Sequence, residues 1–367
     1  MKPCSATSWE KMPVPVNDLG YRSWNGKLGS ASLRWLTIAA VGIRIVFKSQ
    51  WIKRIMFVAW FPTLLVGGLF FFYEQYVENR DRFDKVADSQ TDEGDPAAST
   101  RWSPDGDSVT DGIEGYSQVV TILQFFAPPG EVNHLVDAFS KEPDAARGEV
   151  WSFILLQMLR RTQGFAVLLL IGLIAPPLIS RDIRSRAFLF YFSKPITRLD
   201  YLLGKFSVVG FYVGFVTILP ALALYLFGVL LSPSLSVVLT TWDLPFRVIT
   251  ACLVAIVPSC LLPLMISSLT SESRFAGFAW FMIWILGYVG YQMVYRIALF
   301  QSEMQPGEFE TIWRVVSLYD CLSYLQSWVM GLENNHGYAL TLLTFVAGLS
   351  VFCVLVIQRR ISAPLRA

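Results

Sequence analysis

The chain has 367 residues, 54% of them hydrophobic and 16% charged, where an average soluble domain is roughly 25% charged. The net charge of +2 says little, because charge is gathered into blocks between long uncharged runs; that segregation excludes an ordinary soluble domain and predicts an all-α integral membrane protein with several spans. Two distant histidines, His134 and His336, and five scattered cysteines argue against a histidine-based metal or catalytic cluster and against a disulfide framework.

Residues 1–30 are polar and carry scattered prolines and glycines. No apolar core is followed by a small-residue cleavage site, so a cytoplasmic arm is expected rather than a signal peptide. Residues 31–54 place Trp35, Ile38 and Ile45 on one side of a helix and bring Arg34, Arg44 and Lys48 near one another. That pattern predicts a helix lying in the membrane interface, with the start of a long first span as the alternative. Residues 1–54 contain nine Lys/Arg and two acids, a balance that holds this end in the cytoplasm.

Span one is expected over 55–73, since roughly 20 residues at 1.5 Å each cross the hydrocarbon core. Residues 74–150 hold seventeen acids and six bases, so the segment 74–162 is placed outside. Its stretch from Asp92 to Gly112 reads as a flexible loop, and 149–162 as a helix approaching the membrane. Arg160 and Arg161 are a local exception to the charge rule. Span two follows over 163–179. Its paired Pro176 and Pro177 are expected to break the helix and redirect the chain.

The next segment, 180–205, carries six bases (Arg181, Arg184, Arg186, Lys194, Arg198 and Lys205) against two acids, Asp182 and Asp200. It separates two uncharged runs and is predicted to be a cytoplasmic connector. Span three is expected over 206–231, span four over 248–268, span five over 276–295 and span six over 339–357. The loop 300–336 has five acids and one base, Arg314. It reads as external, with short helices over 309–332 lying on the outer face. Arg359, Arg360 and Arg366 hold the tail, 358–367, inside. Both termini are thus expected in the cytoplasm.

The predicted span cores lack Asp, Glu, Lys, Arg and His. Ion-coupled transporters commonly carry such groups near the midplane, so an ion-driven mechanism is disfavoured. The polar exceptions, Gln163, Gln292, Ser267 and Ser268, are expected to pair with neighbouring helices. No phosphate loop is present: Gly20 to Leu28 has five residues between its glycines and a Leu after the Lys, and Gly204-Lys205-Phe206 lacks the earlier glycine and the hydroxyl. If ATP drives this protein, another chain binds it. Asp105, Asp107 and Asp111 do not match a calcium-loop spacing and read as a solvated turn. The aromatic run in span five, including Trp280, Trp284, Tyr288 and Tyr291, reads as helix packing and interfacial anchoring.

The stretch from Ile179 to Lys205 resembles the loop between spans two and three of ABC-2 type transporter permeases. The matching residues are Asp182, Arg184, Pro195, Thr197, Arg198, Tyr201, Gly204 and Lys205. The six-span layout is similar as well. Two departures stand out: Arg186-Ala187 where the family usually has a small Gly-Thr pair, and Leu189 where it often has an acid.

The resemblance implies a non-catalytic permease subunit in a cell (inner) membrane, with no cofactor on this chain. ATP and magnesium would sit on a partner ABC ATPase subunit. A second permease copy or a paralogue would complete a dimer, and the external segment offers a surface for an extracytoplasmic protein. The residues expected to couple to the ATPase are Arg181, Asp182, Arg184, Phe188, Phe190, Pro195, Arg198, Tyr201 and Lys205. Residues 187–192 would form the apolar ridge of a coupling helix, with flanking bases meeting acids or lipid head groups. A membrane scaffold for an extracytoplasmic partner and an ion-coupled secondary transporter are the alternatives.

Overall fold

The computed structural model describes residues 33–91, 143–187, 196–232, 237–301 and 312–362. Every regular element among them is helical. In chain order these are α1 (Arg34–Phe47), α2 (Gln50–Thr91), α3 (Pro143–Gln157), a π-helical turn (Met158–Thr162), α4 (Gly164–Arg184), α5 (Arg198–Leu231), α6 (Val237–Thr240), α7 (Leu244–Leu269), α8 (Ser273–Gln301), a 3₁₀ turn (Ile312–Val316), α9 (Leu318–Val329) and α10 (His336–Ser362). Six segments are long and apolar enough to cross a membrane: Gln50–Gln75, Arg147–Arg184, Arg198–Leu231, Leu244–Leu269, Ser273–Ile297 and His336–Ile361.

Helix α7 is the hub, packing against α4, α5, α8, α9 and α10. Its buried face includes Ala251, Cys252, Ser259, Cys260, Ser267 and Ser268. Such small side chains let neighbouring backbones approach closely, which is how helices associate where lipid removes the hydrophobic drive between them. Helix α5 is flanked by α1 and α2 as well as by α7. Along it α1 follows a register of four: a Cβ on Gly204 would lie 2.7 Å from Ile38 Cβ, one on Gly42 would strike Val208, and Tyr212 donates to Ile43 O at 2.7 Å. Lys48 and Ser49 separate α1 from α2.

Three local expectations are corrected. Pro176 and Pro177 do not end their helix; α4 continues to Arg184. A neighbour supplies what the ladder needs. The Ser267 hydroxyl of α7 donates to Pro176 O at 2.5 Å and accepts from the Ser180 N–H at 2.9 Å. Ser180 Oγ also donates to Pro176 O, at 2.6 Å. Ser267 thus bridges a gap in the ladder one turn past the prolines, as polar side chains of neighbouring helices do inside a span.

The stretch before span two does more than approach the membrane. Residues 150–159 are buried without interruption, because α3 and the π turn sit against α2, α5 and α7. Trp151 contacts the rings of Phe70 and Tyr225 and donates to Glu74 at 3.0 Å, and Arg147 lies 3.5 Å from the same carboxylate. Arg160, the exception to the charge rule, donates to Ser327 Oγ of α9.

Helix α9 is also internal rather than laid on a surface. Residues 321–327 are all buried, Cys321 among them. Gln326 donates to Ala251 O, and Arg314 lies over the Tyr324 ring at 4.7 Å while donating to the Tyr291 hydroxyl. Ser267 pairs across helices as expected, but Ser268 bonds within its own helix, to Met265 O. The buried Gln163 amide finds no hydrogen-bond partner among the described residues.

Candidate functional site

The basic connector joins α4 to α5, and its two ends are built by different local chemistry. Helix α4 stops in a Schellman motif: the Ala187 N–H donates to Asp182 O at 2.9 Å and the Arg186 N–H to Ile183 O at 3.2 Å. This closure places its first residue past the cap in the left-handed region, and Arg186 has φ 54°. It is the position where the resembling family usually carries glycine. Helix α9 ends in the same motif with a true glycine, Gly331 at φ 82°.

Helix α5 begins in a capping box. The Thr197 hydroxyl accepts from the Asp200 N–H at 3.1 Å, and the Asp200 carboxylate accepts from the Thr197 N–H at 3.1 Å. Two orphan donors are thereby satisfied, and the acid faces the positive end of the helix. At 34 residues, α5 spans about 51 Å, well beyond a hydrocarbon core of roughly 30 Å. Its charged first turns therefore stand before the uncharged run that starts at Phe206.

The two ends meet at Asp182. Its carboxylate accepts from the Tyr201 hydroxyl and from Lys205 Nζ, both at 2.7 Å. Tyr201 is fully buried, Lys205 nearly so, and the Lys205 ammonium lies 5.4 Å from the Tyr201 ring centroid. Burying an ammonium is costly unless a carboxylate and further hydrogen bonds accompany it. Gly204, one residue before Lys205, admits α1 to the same corner.

Of the residues singled out by sequence, Asp182, Tyr201 and Lys205 are thus brought together as one clasp. Arg181, Arg184 and Arg198 are exposed around it. Phe188, Phe190 and Pro195 lie outside the described residues. Sequence reading did not link Arg184 to Glu272, which it meets at 3.3 Å; this pair ties the connector to the α7–α8 turn. One charge at the end of α4 and one in a distant turn gave no cue to their pairing.

A family model described as ABC-2 family transporter protein matches residues 46–359. The chain belongs to the ABC-2 transporter family. No curated protein matches it. The match runs from the end of α1 through most of α10 and takes in all six apolar segments and the connector. The protein is accordingly a multi-pass membrane permease of the ABC type. Within this ABC-2 permease, the clasp accounts for three motif positions, the capping box for Thr197, and the close approach of α1 for Gly204.

Proposed function

We infer that this permease receives ATP-driven work through the connector between α4 and α5, from an ATPase subunit that binds ATP and magnesium. The observation that carries this reading is the Asp182–Tyr201–Lys205 clasp. A loop pinned at its base to two long helices moves those helices when it is pushed, whereas a loose loop absorbs the push. The exposed Arg181, Arg184 and Arg198 surround the clasp and suit an acidic groove on a partner. Phe188, Phe190 and Pro195, which the family resemblance also assigns to coupling, are part of the same proposal. Two permease subunits, each engaging one ATPase, would rock their spans together and so drive export or mechanical work. On this reading the connector, both termini and the basic end of α1 face the cytoplasm of a cell membrane, and α1 lies at its interface.

The test is co-purification. The chain is co-expressed with a candidate ABC ATPase, and the ATPase recovered is measured for the wild type and for Arg181→Glu/Arg184→Glu/Arg198→Glu. Stoichiometric capture that is lost in the triple variant, with the variant still folded, supports the reading. Equal capture by both overturns it.

A further inference from the structure

At the end of the bundle away from the connector, the π turn, α4, α8 and α9 surround a cleft of about 610 Å³. The cleft is graded. Gln157, Arg160, Gln292 and Asp320 line it toward that end, whereas Phe165, Leu168 and Ile285 line it toward the middle of the bundle. The order follows from the helices themselves. Helix α4 runs inward from Gly164 to Leu168, and α8 runs outward from Trp284 to Gln292. The rim is open from the side, since Phe165, Ile285, Tyr288 and Val289 are exposed.

Behind the cleft lies a smaller cavity of about 60 Å³. Arg160, Gly164, Trp284 and Tyr319 line both spaces, so they form the wall between them. The inner cavity is mostly apolar, with Thr217, Ser259, Ser323 and Gln326 as its polar points. Two groups here are orphaned. Trp284 Nε1 and Ser323 Oγ are buried and find no hydrogen-bond partner among the described residues, and the Ser323 side chain is only 3% exposed as a residue. A buried donor left unmade is costly, so such groups commonly mark a bound ligand or water.

Charge completes the case. Asp320 accepts from the Ser317 hydroxyl; burial pushes its carboxyl upward, toward the neutral form, and the Ser317 hydroxyl and the Arg314 and Arg160 guanidiniums oppose that shift. Arg160 has five donors in a planar fork suited to phosphate, and Asp320 offers a carboxylate to a cation. We propose that this cleft binds a zwitterionic phospholipid, taking its phosphate at Arg160, its ammonium at Asp320 and its upper acyl chain along Phe165, Leu168 and Ile285. Water in the inner cavity completes the Trp284 N–H and the Ser323 hydroxyl. The inference goes beyond ATPase coupling and does not depend on it, because binding is read without any ATPase.

The experiment uses the full chain, purified and reconstituted in phosphatidylcholine-free discs. These contain a photoactivatable phosphatidylethanolamine or the matching phosphatidylglycerol, and labelled peptides are identified by mass spectrometry. Phosphatidylethanolamine should label residues 157–168 and 284–292. Asp320→Asn should lower that labelling about tenfold and leave phosphatidylglycerol labelling unchanged, as expected for one lost charge-assisted contact. Arg160→Gln should lower both. Because Arg160 also holds Ser327, Val289→Trp serves as a second variant: it fills the cleft from its exposed rim and should abolish labelling without shifting the melting temperature. Labelling spread evenly over the exposed faces of α2, α8 and α10, or unchanged in Val289→Trp, overturns the proposal. So does efficient disulfide cross-linking between two Val289→Cys copies, which would show a second permease filling the cleft.

Discussion

Lys205 Nζ lies 2.7 Å from the Asp182 carboxylate, joining the last turn of one membrane-length helix to the second turn of the next. The pair is shielded, with side-chain exposures of 10% and 16%. Removing one member of such a pair leaves a buried charge without its counterion. Asp182→Asn is therefore expected to destabilise the permease by about 3–5 kcal/mol. Asp182→Asn/Lys205→Met should recover much of that loss, since no charge is then stranded. Unfolding of the wild type, both single variants and the double variant gives the coupling directly. An additive cycle would show that the clasp does not act as a unit.

The two Schellman closures make a matched experiment within one molecule. Arg186 holds a left-handed conformation that costs an L residue roughly 1–2 kcal/mol, and Gly331 holds the same conformation without that cost. Arg186→Gly should raise stability by about 0.5–1 kcal/mol, part of the relief being offset by the greater freedom of glycine in the unfolded chain. Gly331→Ala should do the reverse and cost more. Its new Cβ would also strike the Arg247 guanidinium, which donates to Met330 O at 3.2 Å. Thermal melts of the two variants in one detergent check both signs. The Arg186 side chain is exposed, and loss of ATPase capture in Arg186→Gly would show a use for its charge.

Gly204 fixes how closely α1 can lie on α5. A Cβ there would meet Ile38 Cβ at 2.7 Å and Trp35 O at 3.1 Å. The second contact is backbone, so the helix itself has to move. Gly204→Val is expected to cost about 1–3 kcal/mol as overpacking and to lift α1 away. Thiol labelling of an Ile38→Cys reporter should speed up in the Gly204→Val background. An unchanged rate would mean that α1 is held elsewhere, for example through Tyr212 and Ile43.

The sequence made the six spans and the connector legible because lipid imposes a one-dimensional rule: uncharged runs of sufficient length cross, and blocks of basic residues stay behind. It was less informative wherever a segment is completed by a distant one. Residues 150–159 are apolar except for Ser152 and Gln157 and are buried on every side, yet their acidic upstream neighbours made them look peripheral. The helices of 309–332 were expected on the outer face, although Ser323, Gln326 and Ser327 of α9 are all buried and two of them find partners inside the bundle or in the helix itself. At the site, the capping box at Thr197 and Asp200 is a local pattern visible in four residues. The Asp182–Lys205 clasp depends on how α4 and α5 come together, and composition does not encode that.

Pro176 and Pro177 misled for the same reason. A proline pair removes two donors from α4, yet the helix continues, with the Ser267 hydroxyl set between Pro176 O and the Ser180 N–H. Ser267 serves two backbone groups across the α4–α7 interface, whereas Ser180 Oγ adds a second donor to one of them. Ser267→Ala should therefore cost about 1–3 kcal/mol, because buried backbone groups lose a partner. Ser180→Ala should cost about 0.5–1.5 kcal/mol, the worth of one ordinary hydrogen bond. The order of the two is the decisive reading in equilibrium unfolding. If Ser180→Ala proves equal or worse, the α4 ladder closes on itself and α7 contributes only packing. If Ser267→Ala is worse, the end of α4 that carries Asp182 is set by a hydroxyl on the hub helix, and a push on the connector reaches α7 through that contact.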